Sequence, residues 1–150
     1  MAAENAPAKD GLDAFLDGLQ DRMDDEALRR YGADGYRRWR EGVNFARMEN
    51  PSCSGKVTGS CGDTIEMFLL VENGRVTDAS FFTDGCGSSM VCGSLAADLC
   101  RGASLDEAAD IDPRRILSLL GDLPDHDKHC ATLAAAAARQ AVHDWMTRKE

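Results

Sequence analysis

No stretch of this sequence approaches the roughly 20 consecutive apolar residues that a membrane-spanning helix needs. The first fifteen residues, MAAENAPAKDGLDAF, combine neither a basic start nor a continuous apolar stretch, so they are not read as a secretory signal. Basic residues are in deficit: 17 Lys and Arg stand against 26 Asp and Glu, a formal net charge of −9. That balance argues against a nucleic-acid binder, which displays a basic face, and against attachment to anionic membranes. Cys-x-x-Cys pairs are missing too, which removes the usual signature of a zinc ribbon or a ferredoxin site. The expectation is a soluble, cytoplasmic protein whose acidic surplus serves solubility.

Cysteine itself is not scarce. There are six: Cys53, Cys61, Cys86, Cys92, Cys100 and Cys130. In a secreted chain an even count can mean three disulfides. A reducing compartment keeps thiols free, available to metals or to sulfur chemistry. The length of 150 residues suits one domain with a terminal appendage, large enough to bury a core without disulfides.

Residues 1–9 are small, polar and Pro-containing and are expected to be disordered. From Gly11 to Arg30, Leu12, Phe15, Leu16, Leu19 and Met23 recur at helical spacing. Asp13, Asp17, Asp21, Asp24 and Asp25 supply the other face. This acidic amphipathic helix is expected to pack its stripe on the domain; docking of a partner, or dimerisation, is the alternative. Residues 1–30 therefore read as an N-terminal extension and 31–148 as the domain proper. A second short helix is expected over Tyr31 to Arg40, then loop, with a short strand around Lys56–Thr58. Two strands follow, 64–71 and 75–82, joined by Glu72-Asn73-Gly74; Asn-Gly tolerates the positive φ angles of a type I′ hairpin turn. Helices are expected from Ser88 to Cys100 with a stripe of Met90, Val91, Leu95, Ala96 and Leu99, from a capping box at Ser104–Glu107, over 113–120, and from Lys128 to about Arg148. Strands first and helices afterwards imply an α+β domain, with helices on one face of a small antiparallel sheet.

Metal-compatible side chains gather at the junctions of these elements. Cys61 and Asp63 sit in a Gly-Ser-Cys-Gly-Asp turn before a strand. Cys86 sits in Asp-Gly-Cys-Gly, between the hairpin and a helix. His129 and Cys130 open the last helix. The spacing is C-x-D-x22-C-x42-H-C. Glycine beside a cysteine lets the backbone bend so that the sulfur points outward. The helix starts at Cys86 and Cys130 favour thiolate, the form that ligates iron or zinc. Against this stands the bland reading that a buried cysteine is a small hydrophobe. Cys92 and Cys100 are read as packing, Cys53 as a loop thiol accessory to Cys61, His126 as surface or near the metal, His143 as exposed or packing, and Trp39 and Trp145 as core anchors.

The run NPSCSGKVTGSCGDTIEMFLLVENGRVTDASFFTDGCGSSM, with SLAADLCRGASLDEA and HCATLAAAAARQAV further on, resembles the NifU-like (IscU-type) iron–sulfur cluster assembly scaffolds. The resemblance spans Tyr31 to Trp145. It implies a SufE/NifU-like fold with a three-stranded antiparallel sheet, and a cluster site made by loops at one end. It implies that Cys61, Cys86 and Cys130 are the scaffold cysteines, with Asp63 the acidic ligand and His129 the exchangeable one. It implies a transient [2Fe–2S] cluster built from iron and sulfide, with zinc able to occupy the cluster-free site. A carboxylate ligand makes the cluster labile. The implied partners are a cysteine desulfurase and apo client proteins; a homodimer is also compatible. Such a scaffold is not an enzyme.

Departures narrow this. The Leu-Pro-Pro-Val-Lys stretch where a chaperone binds in the IscU branch is replaced by Leu123-Pro124-Asp125-His126-Asp127 followed by Lys128, which weighs against a dedicated Hsp70-type chaperone. Arg40-Glu41-Gly42-Val43-Asn44 stands in place of an Asn-Pro-Arg-Asn segment. The rival is a zinc-dependent, persulfide-accepting sulfurtransferase of the SufU type, a branch that usually carries an insertion after Gly-Cys and lacks the His before the last Cys. His129 and the short 86–129 interval favour the scaffold. A purely structural zinc adaptor is the third reading.

Overall fold

In the computed structural model, which describes residues 10–121 and 123–148, helices pack on one face of a three-stranded sheet. The expectation of disorder at 1–9 lies outside the described residues. The chain runs α1 (Gly11–Glu41), β1 (Cys53–Thr58), β2 (Thr64–Glu72), β3 (Arg75–Thr83), α2 (Gly87–Cys100), α3 (Leu105–Ala109), α4 (Pro113–Ser118), a 3₁₀ turn (Asp125–Asp127) and α5 (His129–Arg148). The sheet is antiparallel in the order β1-β2-β3. The α+β architecture expected from the sequence is the one observed.

The hairpin forms where Asn73 and Gly74 take the left-handed φ values of 55° and 76° and bring Glu72 opposite Arg75, as a type I′ turn requires. β1 starts three residues earlier than Lys56. Cys53 pairs with Leu69 and is fully buried, so it is a packing residue rather than a loop thiol. Gly55 explains why this strand is hard to see in the sequence. Helix α5 lies so close that a Cβ there would collide with the backbone of Ala137 and Ala141. Small side chains suit α5 to close packing: Ala131, Ala134, Ala137, Ala138 and Ala141 are all buried.

α2 is buried around most of its circumference rather than along one stripe. Val91, Cys92, Gly93, Ser94, Leu95, Ala96, Ala97 and Cys100 are all buried, whereas Met90 and Leu99 are only partly so. Small residues let it sit between sheet and helices; a side chain at Gly93 would enter the ring of Phe81. Cys92 and Cys100 are therefore packing residues. Trp39 and Trp145 are half-buried against the core.

α1 holds both helices expected in this region, joined across a kink at Gly32 (φ 78°, ψ 175°). Its inner half is anchored by Arg38, buried and ion-paired with Asp34 at 2.7 Å and with Asp98. Its outer half departs from expectation. Leu12 and Phe15 are 65% and 60% exposed, and Leu16, Leu19 and Met23 are exposed as well, so the apolar stripe does not pack on the domain. Ala27 and Tyr31 are the residues of this segment that it buries. No helix among the described residues is long and apolar enough to cross a membrane.

Candidate metal centre

Three loops separated in sequence meet at the N-terminal end of α2. The β1–β2 turn is closed by hydrogen bonds from Gly59 N–H to the Asp63 carbonyl (2.9 Å) and from Gly62 N–H to the Gly59 carbonyl (3.0 Å). Gly62, at φ 92°, allows that reversal. The β3–α2 junction is tied to the same turn by the Thr64 N–H donating to Asp84 Oδ1 at 3.0 Å. The start of α5 supplies the third loop. One ligand atom each from Asp63, Cys86 and Cys130 lies within 4.8 Å of the other two.

Cys86 caps the N-terminus of α2 with extended backbone (φ −77°, ψ 179°) and is exposed. Its flanking glycines are steric requirements. A Cβ at Gly85 would sit 2.7 Å from the Asp63 carboxylate, and one at Gly87 would sit 2.6 Å from the Tyr31 hydroxyl. Asp63 Oδ2 accepts from Ser89 Oγ at 2.9 Å and from the Cys86 N–H at 3.4 Å. The Ser89 hydroxyl is the main reason its carboxyl is held below the ordinary aspartate range. Cys130 is fully buried, and its sulfur lies 3.4 Å from Ser89 Oγ and 3.9 Å from His129 Nε2. Burial pushes its thiol up to about 12. The helix start was expected to favour thiolate here; desolvation outweighs it. A metal ion reverses this balance, because a coordinating thiol is deprotonated outright.

The donor chemistry suits a metal. Two sulfurs and a carboxylate oxygen converge from three loops, and thiolate with oxygen ligands matches zinc or iron. Cys61 and His129 stand outside the tight group. Cys61 is exposed in the turn, its sulfur over Gly59 and two residues from Asp63. His129 is half-buried beside Cys130 and lines an apolar groove of about 270 Å³ with Val57, Thr58, Leu133 and Ala136. His126 is exposed, its Nε2 3.4 Å from Asp127 Oδ1; His143 is exposed late in α5. Lys128 pairs with Asp125 at 2.7 Å.

Sequence reasoning missed Ser88, Ser89, Asp127 and Tyr31. Ser88 Oγ donates to Asp127 Oδ2 at 3.1 Å and lies 3.5 Å from the Tyr31 hydroxyl. The available signal was a pair of polar residues opening a helix that is otherwise small and apolar.

The fold and this three-loop centre define the class: an α+β domain built to present thiols and a carboxylate at one corner. Among solved structures the fold matches a nitrogen-fixing NifU-like protein (N-terminal) from Brucella abortus, with a TM-score of 0.54 at 19% identity over 70% of this chain and 86% of that one. It also matches a SUF-system protein from Fervidobacterium islandicum AW-1, with a TM-score of 0.59 at 15% identity over 75% of this chain and 96% of that one. Among curated proteins, the iron–sulfur cluster assembly scaffold protein IscU 1 of Archaeoglobus fulgidus is 30% identical over 114 residues, 69% of this chain and 74% of its own length. The IscU scaffold protein of Buchnera aphidicola is 37% identical over 91 residues, 60% and 71% respectively. Residues 41–150 match the NifU-like N terminal domain. The chain belongs to the NifU-like N terminal domain family.

Proposed function

We propose that this protein is a scaffold on which an iron–sulfur cluster is assembled before transfer to client proteins. The observation that carries the reading is the convergence of Asp63, Cys86 and Cys130 from three separate loops to within 4.8 Å. Iron and sulfide are the cargo. Cys86 and Cys130 grip iron as thiolates, with Cys61, exposed on the same turn as Asp63, as the third thiol. His129, beside Cys130, is an exchangeable ligand. Asp63 supplies a hard oxygen in place of a fourth sulfur, which holds a [2Fe–2S] unit less firmly and suits release. Sulfur comes as persulfide from a cysteine desulfurase, and an external two-electron reductant, such as excess thiol, releases it as sulfide. Free cysteines throughout the described residues suit a reducing compartment such as the cytoplasm. In this reading the protein holds and hands on cargo rather than turning over a small molecule, and zinc occupies the cluster-free site.

Anaerobic reconstitution with iron, cysteine and a desulfurase tests this, followed by visible absorption and acid-labile sulfide. The expected result is a cluster that Ala at Cys61, Cys86 or Cys130 abolishes and that Asp63→Ala makes longer-lived. Persistent zinc, a protein persulfide and no labile sulfide would instead support the sulfurtransferase reading.

A further inference from the structure

The first turn of α2 carries two consecutive hydroxyls in a buried position, Ser88 and Ser89, 1% and 0% exposed. A buried hydroxyl without a partner is destabilising, so each must be paired. Ser88 spends its proton on Asp127. Ser89 stands between two of the proposed ligands, 2.9 Å from Asp63 Oδ2 and 3.4 Å from Cys130 Sγ. A hydroxyl has one proton to give. The shorter contact and the formal charge on the carboxylate assign that proton to Asp63.

Asp63 needs such a partner. Its side chain rises from a turn closed by backbone hydrogen bonds and tied at its base to Asp84. Its other hydrogen-bond partner is Cys86, through a long bond from the N–H at 3.4 Å and through the side chain. The absence of a side chain at Gly85 leaves the space that carboxylate and hydroxyl share; a Cβ there would lie 2.7 Å from one and 2.9 Å from the other.

We propose that Ser89 is the positioning residue that fixes the Asp63 carboxylate against the two sulfurs and so sets how tightly this corner holds a metal. The inference rests on the metal-centre reading above. It differs from a packing role, because the hydroxyl acts through Asp63 and has nothing to act on once that carboxylate is gone.

The test is a double-mutant cycle on zinc affinity, measured anaerobically by competition with a chromophoric chelator. Wild type, Ser89→Ala, Asp63→Ala and the double variant are compared, with thermal melts confirming that each is folded. Ser89→Ala is expected to weaken zinc binding about tenfold, the low end for partners that orient a ligand. In the Asp63→Ala background the same change is expected to alter affinity less than about twofold, since the two sites are coupled. Wild-type affinity in Ser89→Ala overturns the proposal. So does an undiminished tenfold loss in the Asp63→Ala background, which would trace the effect to packing or to Cys130. Failure of the wild type to bind zinc at all would overturn the metal-centre reading beneath it, an outcome distinct from the other two.

Discussion

Burial pushes the Cys130 thiol up to about 12, while the Ser89 hydroxyl holds the Asp63 carboxyl below its ordinary range. Metal-free, this corner therefore keeps a protonated buried sulfur beside an ionised carboxylate. Metal entry must displace the Cys130 proton. Zinc binding at pH 7 is expected to release at least one proton per site, and zinc affinity to rise at least tenfold per pH unit between 7 and 8. Titration in a weakly buffered solution with a pH indicator measures the first; competition at the two pH values measures the second. The linkage to stability has the opposite sign. Cys53 and Cys130 have folded-state values raised to about 11 and about 12 from an ordinary 9, so their contribution is intact below pH 9 and is lost as pH climbs toward those values. The metal-free protein is expected to lose melting temperature steeply above pH 9. A flat melting profile between pH 8 and 11 would contradict the burial of these thiols.

At this scale the sequence was informative where chemistry sits at a junction. Cys86, Asp63 and Cys130 are marked by glycines and helix starts. Cys61 and His129 carry the same signals yet lie outside the tight group, because spacing along the chain does not say which way an exposed turn points its side chain. Ser89 was illegible: a serine opening a helix resembles an ordinary cap until the loops facing it are known.

Elements differ in how far local sequence determines them. The β2–β3 hairpin was legible because Asn73-Gly74 encodes its own turn. β1 was half legible because Cys53-Ser54-Gly55 has no strand character of its own. Contact with α5 holds it, and that contact spans some eighty residues of sequence. Replacing Gly55 by Ala forces a Cβ into the backbone of α5 and is expected to destabilise the fold by about 1–3 kcal/mol, the range for overpacking, read from denaturant unfolding. The outer half of α1 makes the converse point. Periodicity shows that a helix has an apolar face; it does not show that anything covers it. Leu16→Asp combined with Leu19→Asp is expected to change stability by less than about 0.5 kcal/mol per site, as for exposed positions. A large loss in the same unfolding experiment would mean that the stripe packs on the domain after all.

On the scale of the whole molecule, the sheet, α2 and α5 form a frame that brings three loops to one corner. The opposite end of α2 from Cys86 faces a separate acidic and arginine-lined cavity of about 620 Å³, bounded by Asp98, Arg101, Asp110 and Arg115. The α+β class followed from the order of strands and helices, and three of the candidate residues, Asp63, Cys86 and Cys130, fall in loops that meet. What the order could not supply was the number of ligands that meet. X-ray absorption at the zinc edge of the metal-loaded protein decides this most directly. The account predicts a sulfur shell at about 2.3 Å that loses one scatterer in Cys86→Ala and one in Cys130→Ala. A shell of oxygen and nitrogen alone, or one that neither substitution changes, would contradict it.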